Sequence, residues 1–590
     1  MNAERLLAHY ERVVDAPDAI ARLRRFILDL AVRGQLVPQD VNDEPASELL
    51  KRIAKEKARL VKTGELRKPR DLDSGNDLDE PFAIPVTWRW VRLDAVGAIV
   101  GGGTPPAADA DNFAEPGEGV PWLPPADLGG YSHLYISRGS RDLSEKGSRA
   151  SSATVMPKGT VLFTSRAPIG YVAIAANPIS TNQGFKSIVP YIADCSRFIA
   201  TAMRAFAPEI DANAPGTTFK EVSGKIVAAI PFPLPPLAEQ HRIVAKVDEL
   251  MALCDRLEAA RGSREATRNR LAAASLARLN APDPESFQAD ARFALDALPA
   301  LTTRPDQIKQ LRQTILNLAV RGKLVPQDAS DGPASELLKR IAKEKARLVK
   351  EGKAKRQELQ PEPDLDHAPF APPLGWEWGR FPELGTFGRG KSKHRPRNDP
   401  ALFVGGTHLM IQTGDVARSQ GAIETYTSKY NDFGLSQSFK WRRGALCITI
   451  AANIADSGIL GFDACFPDSV VGFVPASMFE NARYFEYFVR TAKANLLEFA
   501  PATAQKNINL EILISVLIPL QPLAEQHRIV AKVDDLMALC DRLEASLDLA
   551  TATRRRLLAA VLAEVLAQGE SDTHTSPEEV TRPARVAAAE

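Results

Sequence analysis

The chain has 590 residues, 44% of them hydrophobic, and its 74 Lys and Arg nearly balance 73 Asp and Glu. Such a length exceeds one core and predicts several domains of ordinary globular composition. No run approaches 18 apolar residues, the start MNAERLLAHYERVV is amphipathic and charged, and Cys195, Cys254, Cys447, Cys465 and Cys540 lack paired spacing. Membrane spans, a secretory signal, a zinc site and a disulfide framework are therefore not expected; a cytoplasmic protein with buried thiols is.

Pro17–Lys62 reads as two helical pieces and returns as Pro305–Lys350, at a constant offset of 288 and with 36 identities in 46 positions. In the second copy Ile308, Leu311, Ile315 and Leu318 share one helical face, and Gly322 and Pro326 break it. PASELLKRIAKEKARLVK, unbroken in both copies, begins another helix with a serine and a glutamate near its start. The register persists from PFAIPVTWRW to PFAPPLGWEW, matching Trp88 with Trp376 and Trp90 with Trp378.

From Val91 to Pro233 short β-branched and aromatic runs separated by Gly, Pro and Asn predict an α/β domain. Its counterpart, Gly379–Pro519, has lost most of the identity but keeps a skeleton. GTVLFTSRAPI (Gly159–Ile169) aligns with GALCITIAANI (Gly444–Ile454), and WLPPADL with MIQTGDV. The latter match pairs Asp127 with Asp415, for which turn capping is expected. NARYFEYFVRTAKANLLEF predicts a helix in the second domain.

Pro236–Ala259, PLAEQHRIVAKVDELMALCDRLEA, returns at Pro522–Ala545 with only Glu249 changed to Asp. Pro236 suits a first turn, Glu239 suits the positive end of the helix dipole, and Ile243, Val247, Leu250, Cys254 and Leu257 follow 4-3-4-3 spacing. A helix reaching Leu279 would span roughly 65 Å. His241 and His527 recur at the helix starts, where packing or docking is expected rather than metal binding. The loop LNAPDPES leads into the second copy of the first block, whereas the terminal long helix has no such block after it. The N-terminal copy could fill that place if the chain ends meet, closing a pseudo-twofold ring. The polar tail GESDTHTSPEEVTRPARVAAAE is expected to be disordered.

Gly385–Ser392, GTFGRGKS, satisfies the phosphate-loop pattern G-x-x-x-x-G-K-S. The preceding WGRFPEL makes a poor central strand, and Pro396 and Pro400 would interrupt the required helix, so nucleotide binding is not expected. Neither is intrinsic methylation, since no Asp- or Asn-Pro-Pro-aromatic tetrapeptide occurs.

The duplicated blocks PLAEQHRIVAKVDELMALCDRLEA, ILNLAVRGKLVPQD and PASELLKRI, placed around two divergent domains, resemble the specificity subunit of type I restriction-modification systems. VLFTSRAPIGYVAIA, STNQGFKSIVP and CITIAANIADSGILGFDACFPDSVVGFVP look like target recognition sequences of that family. The resemblance implies a fold of two globular α/β (α+β) target recognition domains joined by long antiparallel coiled-coil helices, with pseudo-twofold internal duplication. Its segments would be 1–75 helical, 76–235 first recognition domain, 236–363 central helices, 364–521 second recognition domain, 522–568 C-terminal helix and 569–590 tail. It further implies a non-catalytic subunit without cofactor or metal of its own. Partners would be double-stranded DNA, two methyltransferase subunits that carry S-adenosylmethionine, and restriction subunits that use ATP and Mg. Two unlike half-sites, within about two turns of DNA at about 34 Å per turn, would each carry an adenine methylated at N6.

Base readout needs Arg, Lys, Asn and Gln more than net charge, and cations exceed anions only slightly between Gly379 and Pro519. Candidate DNA-binding residues are Arg166, Asn182, Gln183 and Lys186 in the first domain. In the second they are Lys391, Lys393, Arg395, Gln412, Thr413, Lys440, Arg442, Arg443 and Asn453. Phosphate contacts dominate nonspecific affinity, so the subunit alone should bind DNA weakly. The alternative is a stand-alone DNA-binding or coiled-coil adaptor, which would need no methyltransferase to bind its target fully.

Overall fold

The computed structural model describes residues 16, 18–64, 80–166, 168–216, 220–280, 285–351, 368–450, 455–495 and 510–573. They fall into two compact units, Met1–Arg264 with Ala550–Glu590, and Glu265–Leu549. In chain order the main helices are α1 (Ala19–Val32), α2 (Ala46–Lys62), α3 (Ser196–Ala212), α4 (Leu237–Asn280), α5 (Phe287–Leu301), α6 (Pro305–Val320), α7 (Ala334–Lys350), α8 (Arg483–Asn495) and α9 (Leu523–Thr573).

In the first unit α1 is apolar on two sides. Ile20, Ile27, Leu28, Ala31 and Val32 join the main core with Phe198 and Met203 of α3 and with Ile243 and Val247 of α4. Ala19, Phe26 and Leu30 pack instead against Leu558, Leu562 and Val565 of α9. The N-terminal copy of the first block therefore sits beside the terminal helix, which in sequence has no such block after it. Gly34 ends this segment with φ +69°, and a Cβ there would lie 2.5 Å from Pro85 Cγ and 3.1 Å from the Trp88 ring. Both the left-handed backbone and the close approach demand glycine. Gly322, Pro373 and Trp376 repeat the arrangement in the second unit.

The second unit places α6 beside the end of α4 through a polar junction. Asn317 Nδ2 donates to Asn280 Oδ1 at 2.9 Å, Asn280 Nδ2 to Thr314 Oγ1 at 3.2 Å, and Gln307 Nε2 to Asn269 Oδ1 at 3.0 Å. Gln307, Thr314 and Asn317 replace Ala19, Phe26 and Asp29 of the first copy. The two copies thus differ where each meets the end of a long helix.

Each α/β domain carries a five-stranded sheet. In the first its spatial order is Gly97–Gly101, Lys186–Pro190, Val161–Phe163, Val172–Ala175, Tyr135–Ile136; in the second it is Gly385–Arg389, Val470–Pro475, Leu446–Thr449, Ser457–Leu460, Gly421–Ile423. Only the last pairing in each is parallel. A four-stranded sheet accompanies it, built on Val120–Leu123 parallel to Ser180–Thr181 and on His408–Met410 parallel to Ala464–Cys465. The outer strands of these smaller sheets differ: Phe113–Ala114 in one, Lys440–Trp441 in the other. A two-stranded ribbon, Arg89–Arg92 with Pro231–Leu234 or Glu377–Gly379 with Ile518–Leu520, returns the chain to the long helix.

Several expectations change in detail. LNAPDPES is followed at once by α5, which the reading of that region did not anticipate; the Ser286 hydroxyl and Asp290 carboxylate, 2.8 Å apart, tie its first turn. The second helical piece of the block begins one residue after Pro45 or Pro333, and its serine makes no side-chain cap. The first free N–H bonds instead to a distant carbonyl, Ala46 to Thr87 at 3.1 Å and Ala334 to Gly375 at 2.8 Å. α9 continues five residues past 568, to Thr573; the remainder of the tail, the initial MNAERLLAHYERVV and the end of the helix after Asn495 lie outside the described residues. All five cysteines are buried and free, as composition suggests. GTFGRGKS forms an edge strand, Gly385–Arg389, paired with Val471–Pro475, and no helix follows Lys391. Its backbone amides are thereby taken up in a sheet, unlike a phosphate cradle.

Candidate nucleic-acid interface

The loops of each α/β domain are held by a framework that recurs almost atom for atom. Trp88 Nε1 donates to Glu239 Oε2 at 2.9 Å, and Trp376 Nε1 to Glu525 Oε2 at 2.9 Å. Arg242 pairs with Asp43 and Arg528 with Asp331, at 2.6 and 2.7 Å. Arg24 reaches Asp255 and Glu258, and Arg312 reaches Asp541 and Glu544. These contacts explain why tryptophans at the end of one block recur with a glutamate at the start of the other. Glu239 and Glu525 satisfy indole donors, besides sitting at a helix start as their sequence position suggests. Burial raises both carboxyls above their ordinary range. The match is incomplete: Gln39 Nε2 also donates to Glu239 at 2.6 Å, while Glu525 Oε1 has no partner among the described residues.

On this frame, the segment leaving the first strand of each large sheet meets the turn that links the small sheet to the large one, from Ser180–Thr181 to Lys186–Pro190 in one domain and from Ala464–Cys465 to Val470–Pro475 in the other. Gly103 N–H donates to Thr181 O at 2.9 Å, and at the matching place Lys391 N–H donates to Phe466 O at 3.1 Å. A Cβ at Gly102 would lie 1.9 Å from Asn182 O, and one at Gly390 2.3 Å from Pro467 O, so backbone passes directly over backbone. Whatever the side chains do here, the two segments are fixed against each other.

The side chains differ between the domains. In the first, Glu221 collects cations: Arg166 Nη2 lies 2.8 Å from its carboxylate and Lys186 Nζ 3.9 Å. Lys186 also donates to Gln183 O at 3.2 Å, and its pKa is lowered by burial against the opposing pull of Glu221. Gln183 Oε1 accepts from Thr104 Oγ1, and Asn182 Oδ1 accepts from Gly184 N–H at 2.8 Å, closing the turn. The four sequence-predicted residues of this domain are therefore neighbours around one turn.

In the second domain Asp468 has the gathering role. Arg397 Nη2 contacts it at 2.5 and 2.7 Å, Arg395 Nη2 lies 3.8 Å away, and Arg389 Nε donates to its backbone carbonyl at 2.9 Å. Lys391, Lys393, Lys440, Arg442 and Arg443 are exposed and form no ion pair with the described residues. Gln412 and Thr413 start the short helix Thr413–Arg418, where Gln412 N–H donates to Asp415 at 2.8 Å. Asp127 similarly accepts from Ser140 N–H at 2.9 Å, so both recurring aspartates hold turns, as their repetition suggests. Asn453 lies outside the described residues.

Sequence reasoning missed Glu221, Asp468, Thr104 and two of the arginines, Arg389 and Arg397. The arginines flank Lys391 and Lys393 in the cationic run RGKSKHRPR, Arg389–Arg397, but Glu221 is 55 positions from Arg166 and only the fold joins them. Chemically, the clusters offer guanidinium and amide groups held by neighbours, suited to base edges, beside exposed cations suited to phosphate. His241 is exposed at its helix start, and His527 Nε2 lies 3.8 Å from Glu480. Among the described residues no His, Cys, Asp or Glu group is arranged to hold a metal, and no helix is long and apolar enough to cross a membrane.

A family model described as type I restriction modification DNA specificity domain matches the chain twice, over residues 85–264 and 373–549. The chain is similar to the type I restriction enzyme EcoAI specificity subunit of Escherichia coli, with 29% identity over 91% of this chain and 92% of that one. It is 30% identical to the EcoEI specificity subunit of the same organism, again over 91% and 92%. Among solved structures, the HsdS subunit from Thermoanaerobacter tengcongensis aligns at 20% identity and a TM-score of 0.43, over 83% of this chain and 98% of that chain.

Proposed function

This chain belongs to the type I restriction-modification DNA specificity family, and from that premise we propose that its two α/β domains read two different half-sites of one DNA target. It is a recognition subunit of such a system and not the catalytic one. The observation that carries the proposal is the match of a DNA specificity model to each domain separately, combined with clusters around the inter-sheet turns that share a backbone arrangement and differ in side chains. A common frame with unlike donors is what independent reading of unlike sequences requires.

Recognition domains spanning 76–235 and 364–521 would place Arg166, Asn182, Gln183 and Lys186 on one half-site. Lys391, Lys393, Arg395, Gln412, Thr413, Lys440, Arg442, Arg443 and Asn453 would face the other. Residues held by a carboxylate, such as Arg166 and Arg395, are assigned to bases; exposed cations without a pair, such as Lys391 and Arg442, to phosphates. The two copies of the helical blocks dock two methyltransferase subunits, and those subunits methylate adenine at N6. Motor and nuclease subunits join the same complex for restriction, in the cytoplasm.

Coexpression with a cognate methyltransferase subunit tests the reading. A stable complex that binds its target far more tightly than the free chain is the expected result. No complex, with full target affinity in the free chain, would point instead to a stand-alone DNA-binding adaptor.

A further inference from the structure

One segment of the second α/β domain carries exposed rings where the first domain carries polar side chains, and two structural matches fix the comparison. The short helices Glu145–Ala150 and Asp432–Ser436 begin alike: Gly147 N–H donates to Ser144 Oγ at 3.1 Å, and Gly434 N–H to Asn431 Oδ1 at 2.9 Å. A Cβ on either glycine would meet backbone, Asn112 O at 1.9 Å or Leu402 O at 2.6 Å. The residues just before these glycines are Lys146 and Phe433. Farther along, Met156 pairs antiparallel with Ile179 as Trp441 pairs with Ala464. Two positions before that pairing stand Thr154 and Phe439. Lys146 is held by Asp109 at 2.8 Å, whereas Phe433 and Phe439 are 46% and 55% exposed.

A single exposed ring needs no explanation. These two stand on one segment that is tied to the cationic run assigned above to DNA. Ser438 Oγ donates to Lys391 O at 2.7 Å, Lys393 N–H donates to Gln437 O at 3.1 Å, and the His394 ring lies 5.4 Å from that of Phe433. Lys391, Lys393 and Lys440 are exposed beside them. An apolar partner would desolvate these ammonium groups without pairing them. Duplex DNA pairs such cations with phosphate and shows one apolar group in its major groove, the C5-methyl of thymine.

The rings are also placed for contact and not for insertion. Phe439 meets Trp441 edge to face, with centroids 5.3 Å apart and planes at 84°, and Phe433 meets His394 at 79°. About half of each ring is therefore covered by its own domain, whereas a side chain wedged between base steps gives both faces to the bases. We propose that Phe433 and Phe439 are specificity-determining residues of the second domain, which recognise thymine through its methyl group in the half-site that domain reads. The inference rests on the two-reader proposal above and adds the chemistry by which one reader differs from the other.

The test uses the full chain in complex with its methyltransferase subunit and a duplex of the sequence which that complex methylates. Thymines of the half-site assigned to the second domain are replaced one at a time by deoxyuridine, which lacks only the methyl group. Affinity of the parent should fall about fourfold at one position or more, the worth of one buried methyl group. In Phe433→Ala with Phe439→Ala the same replacement should change nothing, while deoxyuridine in the other half-site acts as it does in the parent, which shows that the variant is folded and bound in register. A parent indifferent to deoxyuridine throughout the second half-site overturns the proposal and leaves the two-reader reading standing. So does a variant that keeps the parent's response to deoxyuridine; loss of 2-aminopurine unstacking in that variant would make the rings wedges. A parent complex that selects no sequence removes both.

Discussion

Single residues separate the two copies of a common frame. Glu239 receives hydrogen bonds from both Trp88 and Gln39, whereas Trp376 is the side-chain donor found for Glu525. Removing the indole N–H should therefore matter more in the second unit, because a buried carboxylate left without a donor bears its full desolvation penalty. Trp88→Phe is expected to cost about 1 kcal/mol and Trp376→Phe roughly 2–3 kcal/mol; equal shifts in urea unfolding would contradict this. Glu486 offers a pH test. It is fully buried on α8, its Oε2 has no hydrogen-bond partner among the described residues, Arg490 is 3.7 Å away, and burial raises its pKa from 4.5 to about 7. A raised carboxyl favours the folded state when protonated, so this contribution is complete below pH 4.5 and disappears as pH rises through 7. The loss is on the order of 3 kcal/mol. Glu486→Gln should abolish that part of the pH dependence, so the variant gains on the parent between pH 5 and pH 8. A stability difference constant across that range would refute the assignment.

Helices show what the sequence could and could not disclose. The 4-3-4-3 apolar spacing located α4 and α9 to within a residue at their starts, because long amphipathic helices write their packing into local periodicity. The short strands of the α/β domains were legible as a class, but not their order, since pairings such as Gly97–Gly101 with Lys186–Pro190 join distant segments. For the same reason the cationic and amide residues around these turns were nameable as donors, while Glu221 and Asp468, which gather cations there, were not. α5 was hidden because the proline-rich run before it dominated the reading. The ends of the long helices carry a further distinction: α1 meets Leu558, Leu562 and Val565, whereas α6 offers Gln307, Thr314 and Asn317 to Asn269 and Asn280. Each junction suits its own helix. Replacing Gln307→Ala, Thr314→Phe and Asn317→Asp together should destabilise the second unit by about 1–3 kcal/mol through stranded amides. Adding Asn280→Leu, the residue type at the matching Leu566, should restore part of the loss. A triple variant as stable as the parent would show that the junction is indifferent to this polarity.

At the scale of the whole molecule, the sequence of helices and domains runs twice, and change is concentrated where the proposed reading needs it. The helical frame keeps its tryptophans, ion pairs and the entire outer face of α2 and α7, while the α/β domains keep the large-sheet topology and only a sparse sequence skeleton. Constant helices with exchangeable domains should make recognition modular. Replacing Val91–Pro233 with the corresponding domain of another specificity subunit, and mapping N6-methyladenine across a host genome, tests this most directly. The account predicts that one half-site of the methylated sequence changes, while the other half and the spacing between them stay as in the parent. A swap that rewrites both halves, or a parent that methylates one continuous palindrome, would contradict it.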